Sequence, residues 1–288
     1  MARAQADKAK EFAERHGARQ WHADWRNLLR NPEVDAVYVA SPVRFHVEQT
    51  IAAAEAGKHV LCEKPMALSV DECERMIAAA RAHGVQLGVA YYRHHYPTVR
   101  RMSEILASGE IGRPVLVEAQ AFEMFDVPRD HPRAWFLKKA ESGGGPMFDF
   151  GCHRIEVMLD LLGPLAEAHG RASNIRFRDR EVEDTCVADL SFASGARGVL
   201  TVSHAARLSR DAFAVYGTEG SIEVPVLNKG VMRIATPAGE RQETHAPHAN
   251  LHLPLIEDFT AAVQAGRAPT VTGEIGLAVN RVLAAVYA

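Results

Sequence analysis

His59-Val60-Leu61-Cys62-Glu63-Lys64-Pro65 reads as a short apolar strand that ends in a charged pair and a proline. In an open parallel sheet, ligands bind beyond the carboxyl ends of the strands. Lys64 therefore stands where a substrate or cofactor would lie. Taken alone, it reads rather as an exposed lysine in a turn. Pro65 stops the strand and occupies a position where functional turns sometimes carry a cis bond.

Outward from this run, short apolar strands alternate with helices. An Ala-rich helix spans residues 1–16, ended by Gly17, and a short helix spans 25–30, closed by Asn31-Pro32. Strands follow at 34–40, 60–62 and 86–90, with a helix over 46–56 capped by Gly57. Ser69 caps the next helix, which runs to about Ala82, with Glu72 as its capping-box partner. This alternation implies a parallel sheet covered by helices. After residue 90 the pattern changes. Helices at 97–108 and 148–162 flank a strand at 115–122. Strands then follow at 166–177, 185–192, 197–204, 212–216, 221–224 and 231–235, and helices at 254–265 and 273–288 close the chain. The expected fold class is α/β: a parallel sheet covered by helices over 1–90, and an α+β unit with a large, mostly antiparallel sheet over 91–288.

A second run, Gly143-Gly144-Gly145-Pro146-Met147-Phe148-Asp149-Phe150-Gly151-Cys152-His153, is a glycine turn opening a helix. Four-residue spacing puts Asp149 and His153 on one helix face. They read either as an ordinary intrahelical pair or as a proton-transfer pair. In the second case the imidazole moves the proton and the carboxylate steadies it.

The two runs together resemble the Gfo/Idh/MocA family of NAD(P)-dependent oxidoreductases. Its Glu-Lys-Pro motif matches Glu63-Lys64-Pro65, and its Gly-Gly-Gly-x-x-x-Asp-x-Gly-x-His motif matches Gly143 through His153. Tyr92-Arg93 followed by Pro97, Gly217-Thr218-Glu219-Gly220 and Glu257-Asp258-Phe259 fit the same pattern. The resemblance implies reversible hydride transfer between NAD or NADP and a secondary alcohol or ketone of a sugar, cyclitol or related small molecule. It implies Lys64, Asp149 and His153 as catalytic residues. It places Ser41, Pro42, His46, Glu63, Lys64 and Arg93 on the cofactor side, and Tyr92, Trp135, Lys64 and His153 on the substrate side. Arg93 also reads as a tie between the two units, His46 as a half-buried helix-start histidine, and Trp135 as packing.

The family's opening strand, Gly-x-Gly-x-x-Gly turn, helix and second strand have no counterpart. No Gly-x-Gly-x-x-Gly occurs, since position 148 is Phe. The expectation is an N-terminally truncated Rossmann-type sheet. The strand at 34–40 then has an unpaired edge, and any short strand near residues 19–21 has no neighbour. A second reading follows: a truncated, non-catalytic ligand-binding or regulatory remnant of the same family.

Composition narrows the classes. A net charge of -3 over 288 residues gives no basic surface for nucleic acid or membrane. No apolar run reaches the length of a membrane span, and residues 2–14 are too charged for a signal peptide. Cys62, Cys73, Cys152 and Cys186 form no Cys-x-x-Cys, so free thiols in a reducing cytoplasm are expected. His94-His95 has no partner at metal-ligand spacing, so no metal is expected. The outer face of the C-terminal sheet is the expected contact for a homo-oligomer.

Overall fold

The computed structural model describes residues 1–3 and 5–288. Helix α1 (Ala6–His16) ends at Gly17, whose φ of 67° lets its N–H close the last turn on Ala13. It begins later than the 1–16 expected, and Ala4, within that span, lies outside the described residues. Helix α2 (Trp25–Leu29) is capped by the Asp24 carboxylate. Strands β1 (Ala36–Val39), β2 (His59–Cys62) and β3 (Leu87–Val89) alternate with α3 (His46–Glu55) and α4 (Val70–Ala82). Ser69 accepts the Glu72 N–H, and Glu72 reaches back to the Leu68 N–H, one residue beyond the expected box.

The three strands form a parallel sheet in the order β1-β2-β3. β2 is central and its Val60, Leu61 and Cys62 are buried, as a strand covered on both faces requires. β1 forms one edge, where Tyr38 is 42% exposed. The segment near residue 21 does find a neighbour: His22 and Ala2 form a parallel bridge, with Arg3 N–H donating to His22 O at 3.0 Å. The chain's own first residues supply that neighbour.

Helix α5 (Pro97–Ser108) leads into β4 (Pro114–Phe122), the short α6 (Lys139–Ser142), a π-helical turn (Met147–Gly151) and α7 (Cys152–Leu162). Strands β5 (Leu165–Ser173), β6 (Thr185–Phe192), β7 (Arg197–Ser203), β8 (Arg210–Gly217), β9 (Ser221–Val224), β10 (Val231–Thr236) and β11 (Gly239–Thr244) follow, then α8 (Leu253–Ala265) and α9 (Gly273–Val286). The eight-stranded sheet runs β11-β10-β9-β8-β4-β7-β6-β5 and is antiparallel except for the β4–β7 pair. β11 was not legible in the sequence. Gly-Glu-Arg-Gln-Glu-Thr is almost wholly exposed and carries no alternation, and it is a strand only because β10 offers a free edge. The inner faces of both sheets, α7 and α9 share one continuous apolar core.

Candidate active site

The site forms where the carboxyl ends of β1 and β2 meet the glycine turn before α7. A cleft of about 250 Å³ opens there. Ala40 and Ser41 line it from β1's end, Glu63, Lys64 and Pro65 from β2's end, and Phe148 and Asp149 from the π-turn. Trp135 and Phe136, stacked with centroids 3.9 Å apart, form another wall. The Lys64–Pro65 peptide bond is cis.

Lys64 and Asp149 meet across the cleft although 85 residues separate them. The Lys64 ammonium donates to the Asp149 backbone carbonyl at 2.6 Å and to Oδ1 at 3.5 Å. Burial opposes both charges. For Lys64 it is outweighed by Asp149 together with Cys152, Glu63 and Tyr92, which raise the ammonium pKa. Asp149 is held well below the usual carboxylate range because Lys64 and His204 outweigh its burial. His204, just past the end of β7, places Nε2 3.4 Å from Asp149 Oδ2. The sequence reading missed His204. It ends an expected strand, and no short-range spacing connects it to residue 149.

His153 is 2% exposed, and its Nδ1 has no partner among the described residues. Its ring packs edge-on against Tyr92 at 4.8 Å and Tyr91 at 5.7 Å. Burial, then Arg93, Lys64 and Arg154, push its pKa well below the ordinary histidine value. The intrahelical Asp149–His153 pair that the spacing suggested is not formed. Residues 147–151 wind as a π-turn, so four residues do not close a turn as they would in an α-helix. Asp149 looks to Lys64 and His204, and His153 looks to the tyrosines.

Glu183 holds the glycine turn. Its carboxylate accepts the Gly145 N–H at 2.8 Å, the Met147 N–H at 3.3 Å and the Tyr287 hydroxyl. Gly145 has to be glycine, since a Cβ there would sit 2.0 Å from the Glu183 backbone oxygen.

The other candidates are distributed as follows. Glu63 lines the cleft, but its carboxylate accepts the Tyr38 hydroxyl and the Lys64 N–H. His46 lines the cleft with both ring nitrogens engaged: Nδ1 with Pro65 O and Met66 O, Nε2 with Ser41 O. Burial lowers its pKa despite those carbonyls. It pins the Glu-Lys-Pro turn to β1's end and has no free nitrogen for a ligand. The Ser41 hydroxyl donates to Gln49, and Pro42 precedes the short turn at Val43. Arg93 is buried over the Tyr92 ring at 4.9 Å. Cys152 is buried, with burial raising its thiol to about 11, which leaves it no nucleophile. His94 and His95 have separate partners, Glu156 and Arg100.

Comparison with known proteins bears on this geometry. Residues 2–91 match the model of an oxidoreductase family with an NAD-binding Rossmann fold, and residues 99–223 match the GFO/IDH/MocA C-terminal domain. The chain belongs to the Gfo/Idh/MocA family. It is 32% identical over 285 residues to 1,5-anhydro-D-fructose reductase of Ensifer adhaerens, covering 96% of this chain and 84% of that one. It is 27% identical to myo-inositol 2-dehydrogenase of Thermotoga maritima, covering 94% and 81% respectively. The structure of levoglucosan dehydrogenase in complex with NADH and levoglucosan superposes with a TM-score of 0.91 at 25% identity, over 99% of this chain and 86% of that one. As a member of the Gfo/Idh/MocA family the chain is a nicotinamide-dependent oxidoreductase acting on CH–OH groups. None of its helices is long and apolar enough to cross a membrane, among the described residues.

Proposed function

We propose that the cleft interconverts a secondary alcohol and a ketone of a sugar or cyclitol, with Lys64 and His153 acting on the reacting oxygen and its proton. The residues fit a nicotinamide ring. Val43, Pro65 and Phe148 give apolar surface, while Ser41, Glu63 and Lys64 add polar groups. Ser41, Pro42, Glu63 and Lys64 would hold the cofactor, NAD or NADP, with His46 keeping their turn in place. When bound, the nicotinamide supplies the hydride acceptor or donor.

Lys64 keeps its proton because Asp149 stands beside it. A fixed ammonium stabilises an alkoxide as its charge develops. His153 is held neutral, so its lone pair is free to take the hydroxyl proton. Asp149, braced by His204, positions Lys64. Tyr92 and Trp135 wall the substrate side. The observation that carries this reading is the buried Lys64–Asp149 pair at the mouth of the parallel sheet. Such a pair gives a fold little net stability, so a non-catalytic remnant has no need of it.

His153→Gln should lower turnover by about 10²–10⁴-fold while leaving NADH affinity unchanged, measured by the cofactor's fluorescence. Near wild-type turnover would end the assignment. The non-catalytic reading requires no NADH binding in the same titration. Further parts of the proposal are a division near residue 90, cytoplasmic location suited to four free thiols, and pairing of subunits through the C-terminal sheet. Val187 at 44% and Val199 at 37% exposure lie on the sheet's outer face and support the last.

A further inference from the structure

Arg93 lies in the short turn Tyr92–His95 beyond the carboxyl end of β3. It is only 6% exposed, yet its Nε and Nη1 have no hydrogen-bond partner among the described residues. The neighbouring carboxylates are committed elsewhere. Asp211 pairs with Arg154, Glu156 with His94, and Asp149 with Lys64 and His204. Each of those cations has its anion, and Arg93 has none among the described residues. An unpaired guanidinium out of water destabilises the folded chain unless something supplies the missing charge.

Its location indicates what supplies it. The guanidinium carbon is 4.9 Å from the Tyr92 ring centroid, and the His153 ring is 4.8 Å from the same centroid. The cation and the proposed proton acceptor thus each lie within 5 Å of one aromatic ring. A guanidinium presents a planar fork that matches a carboxylate, and a neutral hydroxyl in that place would leave the charge uncompensated.

We propose that Arg93 is the subsite for a substrate carboxylate, so that the preferred substrate is a sugar acid, its carboxylate a few bonds from the reacting hydroxyl. This rests on reading His153 as the group that meets that hydroxyl, and it moves Arg93 from the cofactor side to the substrate side. A consequence supports it. After burial, Arg93 is the largest influence keeping His153 unprotonated. A carboxylate docked on Arg93 cancels that influence, so the imidazole becomes a stronger base when the acid arrives.

The test is calorimetric titration of the full chain, with and without NADH, using D-galacturonate, D-gluconate, D-galactose and D-galactose 6-phosphate. A sugar acid should bind at least about 10-fold tighter than D-galactose, as a charged hydrogen-bonded contact requires. Arg93→Met should remove that preference and also raise the Tm of the ligand-free chain, because the variant has no charge to bury. Arg93→Lys should keep part of the preference. Equal affinities, no binding of either acid, tighter binding of the phosphate than of the acids, or a lower Tm for Arg93→Met would each overturn the proposal. The two readings fail separately. Acid binding through Arg93 with no NAD(P) reduction on any alcohol leaves the subsite standing and removes the enzymatic reading. Turnover of D-galactose with no advantage for the acids does the reverse.

Discussion

Replacing Asp149 by Asn keeps the shape of the side chain and deletes its charge. Lys64 would then keep only 16% of its side chain exposed and lose the carboxylate it pairs with. Leaving one member of a buried pair alone costs about 3–5 kcal/mol. Lys64→Met strands Asp149 in turn, with His204 as partial relief, so its cost should be nearer 2 kcal/mol by the same reasoning. At 3.5 Å the attraction is about 5 kcal/mol for an effective dielectric near 20, before desolvation of both ions is subtracted. The double variant buries no charge at this point and should fall within about 1 kcal/mol of the parent. The coupling across the cycle should therefore be about 4–6 kcal/mol. The Asp149 pKa is depressed, so its contribution is present above its unfolded value of 3.8 and is lost as pH falls towards the folded one. The Lys64 pKa is raised, so its contribution is present below 10.5 and is lost as pH rises through the folded one. Neutral pH lies inside both windows. Urea unfolding of the four proteins, followed by circular dichroism, measures the cycle. If the single costs simply add in the double variant, the two side chains do not share a buried pair.

Three further outcomes follow from the same geometry. Gly145→Ala forces a Cβ against the Glu183 carbonyl and breaks the carboxylate's grip on the glycine turn; about 3 kcal/mol should be lost, lowering Tm by roughly 10 °C, and an unchanged Tm would contradict the packing. His153 and His95 are both held unprotonated by burial, His95 down to about 4. The unfolded chain protonates them below about 6.5, so from pH 6.5 to 5.5 each should remove about 1 kcal/mol of stability; His153→Gln should flatten that slope in urea unfolding at the two pH values, and an unchanged slope refutes its neutral state. Tyr287→Phe deletes the hydroxyl that α9's end donates to Glu183 and should cost about 1–2 kcal/mol by thermal unfolding, whereas no loss would mean that Glu183 is held by the backbone N–H groups alone.

Much of the fold could be read directly. The apolar run Val60–Cys62, the Ser69 cap and the strand-helix alternation are local signals, and each names its element without help from distant residues. The Glu-Lys-Pro turn at a strand's carboxyl end put Lys64 at a binding position for a topological reason. The reading failed where partners are remote. β11 has no apolar pattern and is ordered by β10's edge. The bridge between Ala2 and His22 depends on residues on either side of α1 meeting. The π-turn is invisible to a helical wheel, so the Asp149–His153 pairing drawn from spacing did not form.

The sequence by itself determined which side chains could do proton and charge chemistry, because side-chain identity and the order of strands and helices are written in the chain. Only the tertiary structure decided which of them face one another. Lys64 chose Asp149, Asp149 acquired His204, His46 spent both nitrogens on carbonyls, and Arg93 was left buried without an anion. The physical reason is that local propensity acts over a few residues, whereas pairing energies depend on distance in space and on the water each group loses.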